Sequence, residues 1–140
     1  VAQHRDPDIQ LLIYPACDLR CLTASYHELK DGGFVLTGES IDRYLQWYGA
    51  DPTDPNASPL LGTPGKARAI VVTAGFDPLR DEGEAYAVAL RDHGTPTVDL
   101  RYSRLVHGFV NMDGLLPAAD SAVAEICHTL RHMWSVRDIV

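Results

Sequence analysis

Cysteine is scarce in this chain. Cys17, Cys21 and Cys127 are the whole set, an odd number and too few for a disulfide framework. A reducing cytoplasm is the simplest compartment for such a protein. Basic charge is also scarce. Lys and Arg total 12 against 19 Asp and Glu, a net charge of −7. Without a basic cluster, neither nucleic acid nor an anionic membrane is an expected partner. Long apolar runs are missing. The longest, Leu11 to Tyr14 and Ala69 to Ala74, span only a few residues, whereas a membrane helix needs about 20. The chain starts at Val1 with no charged-then-apolar leader. What is present is 46% hydrophobic and 22% charged over 140 residues, which suits a folded chain with one core.

Two short apolar runs, Ile9 to Tyr14 and Ala69 to Ala74, read as strands buried on both faces, as in a parallel sheet. A third run, Thr97 to Tyr102, alternates Val98 and Leu100 with Asp99 and Arg101. One face of it is expected to be wet, which suggests a sheet edge. Three helices are expected between and after these strands. The first runs from a cap at Thr37 to about Tyr48, with Ile41, Tyr44, Leu45 and Tyr48 at helical spacing. The second covers about Leu79 to His93, with Leu79, Gly83, Tyr86, Ala87 and Leu90 on one face and Gly94 just past its end. The third starts near Pro117, with a stripe of Ala119, Ala122, Val123, Ile126, Leu130 and Met133. Residues 16–33 show few periodic apolar positions, and 51–65 read as a long ordered loop. Residues 1–6 resemble the end of a helix that Pro7 stops. The alternation of strand and helix predicts an α/β fold with a parallel sheet.

In such a sheet, the loops leaving the strand C-termini gather along one edge, and function collects there. Asp77 follows the second strand. His107 follows the third, on a loop carrying residues 105–109. Neighbouring strands lie about 4.8 Å apart, so the two side chains can meet. An Asp that accepts from one imidazole nitrogen fixes the tautomer and frees the other nitrogen as a base. The spacing leaves a plainer reading open as well: an Asp before a helix is commonly an N-cap, and a loop His is commonly solvated.

No nucleophile accompanies this pair. Gly-x-Ser-x-Gly, which a strained strand-to-helix elbow requires, is absent, as is His-Gly-Gly-Gly. The nearest match, Gly38-Glu-Ser40-Ile-Asp42, lacks the second glycine and a preceding strand, so Ser40 reads as a first-turn helix residue. His128 and His132 share a helix face but have no Glu after His128 and no third ligand. Cys17 and Cys21 have the wrong spacing for a redox pair. Gly32-Gly33 has no phosphate-loop setting and no Lys. Neither a metal nor a cofactor is expected.

The string Thr73-Ala-Gly-Phe-Asp77-Pro-Leu-Arg-Asp-Glu-Gly83-Glu-Ala-Tyr86, followed by His107-Gly-Phe109, resembles the C-terminal part of the hormone-sensitive-lipase-like α/β-hydrolases, whose bacterial members are carboxylesterases. Gln10-Leu-Leu-Ile-Tyr-Pro15 and Ser58-Pro-Leu-Leu-Gly62 resemble segments of the same family. The resemblance extends over nearly the whole chain. It implies that residues 1–140 are the C-terminal half of one α/β-hydrolase domain, with about three parallel strands, flanking helices and a cap contribution from residues 16–50. It makes Asp77 and His107 the Asp and His of a Ser-His-Asp triad. Asp81 and Glu82 belong to the same string but are not triad members in the family. The Ser, the oxyanion glycines and the N-terminal cap helices would lie in a missing N-terminal half, with the Ser about ten residues before Val1 if its helix has the usual length of about 11.

The implied activity is hydrolysis of carboxylic esters with a small acyl group, with the 140 residues inactive by themselves. Tyr44 and Trp47 on the expected lid helix, and Leu79 and Val106 flanking the pair, are the candidate substrate contacts. The alternative is a non-catalytic binding or interaction protein built on the same fold, as in the gibberellin receptors. Those receptors have lost the triad His, whereas His107 is present here with its glycine. An apolar first strand without its second neighbour is also expected to self-associate through the open edge.

Overall fold

The computed structural model describes residues 7–136, so the helix end expected at residues 1–6 lies outside it. Among the described residues, β1 (Ile9–Ile13), β2 (Arg68–Phe76) and β3 (Thr97–Val106) form one parallel sheet in the order β1-β2-β3. Four helices accompany it: α1 (Ala24–Leu29), α2 (Gly38–Tyr48), α3 (Arg80–Asp92) and α4 (Pro117–Ser135). The α/β architecture with three parallel strands is the one expected.

The central strand shows why the layers form. Successive side chains of a strand point to opposite faces. Ile70, Val72 and Ala74 of β2 pack towards Ala119, Ala122, Ile126 and Met133 of α4. Ala69 and Val71 pack on the other face with Tyr86, Ala87 and Leu90 of α3. Every one of these β2 residues is fully buried. Both faces of a parallel strand are covered by helices, which explains its unbroken apolar run.

The helix ends follow local chemistry. Thr37 Oγ1 accepts from Ser40 N–H, and Ser40 Oγ accepts from Thr37 N–H, a reciprocal cap that starts α2. Ser40 is therefore a capping residue, as its first-turn position implied. Pro117 stands at the first turn of α4, where its missing N–H costs nothing.

Four expectations need correction. β1 is half-exposed along its whole length rather than buried on both faces. Its only strand neighbour among the described residues is β2. In β3, Val98 is exposed where the alternation placed it inside. The reason is the course of α4. It lies against Tyr102, through Ala122, near its start and packs with Ile9 and Leu11, through Leu130, near its end, so the cluster it covers takes in Leu100 and Tyr102 of β3 but not Val98. β3 also runs four residues beyond Tyr102, so residues 105 and 106 are strand rather than loop. Finally, the polar stretch 16–33 contains the six-residue helix α1, capped by Thr23.

Candidate active site

Asp77 and His107 each follow directly on the last residue of a strand, β2 and β3. An irregularity in the sheet brings them level. Ala74 pairs with Tyr102 but Phe76 pairs with Val106, so β3 spends four residues where β2 spends two. Gly75 sits in this irregularity. A Cβ there would overlap the Ser103 carbonyl and come within 2.7 Å of its Cα, so only glycine fits.

The pair meets at 2.8 Å, between His107 Nδ1 and Asp77 Oδ2. Asp77 is 1% exposed, and its other oxygen, Oδ1, accepts from Leu79 N–H at 2.9 Å. One carboxylate oxygen thus meets the imidazole and the other the backbone of the turn that leads into α3, whose N-cap is Leu79 and not Asp77. With Nδ1 donating to a fixed carboxylate, Nε2 is the nitrogen left for chemistry. Gly108 (φ +79°) then turns the chain sharply into the 3-10 turn Phe109–Met112. Phe109 is wholly buried and anchors the corner from below.

His107 borders a cleft of about 390 Å³. Helix α2 supplies much of the wall through Ile41, Tyr44, Leu45 and Tyr48, and Leu19, Leu36 and Leu79 add to its apolar lining. Leu36, Ile41 and Leu79 also pack together as a small buried cluster. Of the four substrate-contact candidates, the structure brings Tyr44 and Leu79 to the cleft with His107. Trp47 and Val106 are not among its lining residues. Trp47 is 72% exposed and meets Tyr44 edge-on, and Val106 sits in the sheet opposite Phe76.

The polar part of the cleft was not foreseen. Asp18, Cys21 and Glu82 line it beside His107. Asp18 is gripped by Arg20 through two contacts of 2.8 Å, which hold its carboxyl below the usual range. Glu82 is 1% exposed. Its Oε1 accepts from Cys17 N–H at 2.6 Å and from Asp18 N–H at 3.1 Å, while Oε2 has no hydrogen-bond partner. Burial pushes its carboxyl up to about 7, against the pull of those two N–H groups and with the charges of Asp18 and Asp77 adding to the rise. Burial likewise pushes the Cys17 thiol to about 12 and the Cys21 thiol to about 11. Neither is a thiolate nucleophile near neutral pH. A signal for Glu82 does exist in the sequence: it falls three residues after Leu79 and four before Tyr86, on the apolar stripe of α3. His128 and His132 are both exposed on α4, outside the cleft.

A family model described as alpha/beta hydrolase fold matches residues 1–111. The chain is 46% identical over 132 residues to a carboxylic ester hydrolase, LipN, of Mycobacterium tuberculosis, covering 89% of this chain and 35% of that protein. It is 36% identical over 121 residues to a carboxylesterase, NlhH, of the same species, covering 81% of this chain and 38% of the relative. Among solved structures, a hyperthermophilic esterase from Pyrobaculum calidifontis superposes with a TM-score of 0.83 at 36% identity, over 90% of this chain and 43% of the esterase. The chain thus spans less than half the length of the proteins it matches. Among the described residues, no helix is long and apolar enough to cross a membrane.

Proposed function

The chain belongs to the α/β-hydrolase family, in its hormone-sensitive-lipase-like branch of carboxylesterases, and from that membership we propose that it carries the base and the orienting acid of a carboxylic ester hydrolase. The observation that supports this most directly is the 2.8 Å contact between Asp77 and His107 at the border of an apolar cleft.

In this reading a serine outside the 140 residues supplies the nucleophile. His107 Nε2 takes the serine proton as the oxygen attacks the ester carbonyl, and Asp77 holds the resulting imidazolium. The imidazolium then returns the proton to the departing alkoxide, leaving an acyl-serine. Water attacks that acyl group with the same base and releases the acid. Oxyanion donors come from the same missing segment as the serine. Tyr44 and Leu79 are proposed to face the acyl or alcohol group, and the wall is apolar enough to take a small acyl chain. Trp47, on α2 with Tyr44, and Val106, the last residue of β3, remain outer candidates.

The test joins the 140 residues to a Ser-bearing half-domain of the same family and follows hydrolysis of p-nitrophenyl butyrate. The chain by itself is expected to give no turnover above buffer. The joined protein is expected to hydrolyse the ester and to lose about three orders of magnitude or more in kcat on His107→Ala. Turnover by the chain by itself that disappears on His107→Ala would overturn the incomplete-site reading. Turnover by the joined protein that survives the substitution would overturn the role of His107.

A further inference from the structure

Tyr14 stands at an unusual corner. It follows β1 with φ +39°, in the left-handed region that bulky residues avoid. Such a conformation persists only where its surroundings hold it on both sides. Before the corner, Tyr14 N–H donates to Val72 O on β2 at 2.7 Å. After it, Cys17 N–H and Asp18 N–H both donate to the buried Oε1 of Glu82 on α3, 65 and 64 residues away in sequence. The chain between these two clamps has little freedom to relax.

The result is the placement of one ring. The Tyr14 ring lies 4.5 Å from the His107 imidazole, centroid to centroid, at a tilt of 53°. The Tyr14 ring also meets the wholly buried Phe109 ring edge-on at 5.8 Å. His107 therefore has two supports. Asp77 holds one ring atom, Nδ1, and leaves the imidazole able to rock about that bond. Tyr14 blocks the rocking by contact with the ring itself.

We propose that Tyr14 is a positioning residue for His107, its ring fixing the plane of the imidazole that Asp77 tethers, with the left-handed corner clamped by Val72 and Glu82 as the device that delivers it. The inference rests on the reading of His107 as the base, but its test does not use turnover, so the two can fail separately.

The experiment is NMR of the full 140-residue chain, following the downfield imidazole Nδ1–H proton, assigned by its loss in His107→Ala. Tyr14→Phe keeps the ring and is expected to leave this proton as in the parent. Tyr14→Leu fills space without a ring. It is expected to speed solvent exchange of the proton about tenfold, the factor that an aromatic contact at the upper end of its range contributes. Parent-like exchange in Tyr14→Leu would overturn the proposal, as would equal loss in Tyr14→Phe and Tyr14→Leu. If the Leu variant does not fold, the parent and Tyr14→Phe still decide the matter. Nuclear Overhauser contacts between ring 14 and the imidazole protons support the proposal in both proteins, and their absence in either overturns it.

Discussion

Glu82→Gln is expected to make the protein more stable at pH 8 while leaving it nearly unchanged at pH 5. The carboxyl is buried, and its unpartnered Oε2 has nothing to stabilise a charge. Burial raises it from 4.5 to about 7, and the facing charges of Asp18 and Asp77 add to the rise. Between those two values the folded chain keeps a proton that the unfolded chain has released. Stability therefore falls as pH rises through that window and levels off above it. At about 1.4 kcal/mol per pH unit, the loss amounts to about 3 kcal/mol. Gln keeps an oxygen for Cys17 N–H and Asp18 N–H but cannot ionise. The assay is urea unfolding of both proteins at pH 5, 6, 7 and 8. The gap between them is expected to open by about 3 kcal/mol in favour of Gln. A gap that stays constant from pH 5 to pH 8 would refute the reasoning, because Glu82 would then ionise alike in the folded and unfolded chain.

Two further outcomes test the scaffold beneath the pair. Gly75→Ala puts a Cβ into the Ser103 backbone, so β2 and β3 must part where they deliver Asp77 and His107. It is expected to cost at least about 2 kcal/mol in urea unfolding and to abolish the His107 Nδ1–H resonance; an unshifted midpoint would show that the strands have room there. Phe109→Ala removes a wholly buried ring that meets both Tyr14 and Tyr102. A loss of about 3–5 kcal/mol is expected, and a loss under about 1 kcal/mol would mean that the corner below His107 is not close-packed.

Much of the fold is legible because its determinants are local. The caps at Thr37 and Pro117 and the stripes of α3 and α4 lie within single elements, and the elements follow them. The extension of β3 is not local. Ser103 and Arg104 give no strand signal of their own, and both are exposed. They remain in the strand because Gly75 admits the opposing backbone, a fact about two segments at once. The burial of β1 and the exposure of Val98 depend on which strands and helices lie next to them, which no window of residues records. The same division runs through the site. Asp77 and His107 are legible because each directly follows a strand. The Tyr14 ring contact was not, because it arises from a backbone corner fixed by residues on two other elements.

Asp77 and Glu82 sharpen that contrast, being carboxylates five positions apart in one string, each 1% exposed. Both accept backbone N–H groups, so backbone contacts do not distinguish them. The difference lies in the second oxygen. Oδ2 of Asp77 meets the His107 imidazole at 2.8 Å. Oε2 of Glu82 meets no partner, so its proton is retained until about pH 7. One carboxylate is proposed to orient a base; the other holds a turn with one oxygen and keeps its proton until about pH 7. A buried acid beside the reacting groups adds little repulsion to a transition state that spreads negative charge over an oxyanion, provided that it keeps its proton. In the proposed reaction the unpaired oxygen of Glu82 therefore adds no charge to the cleft until about pH 7.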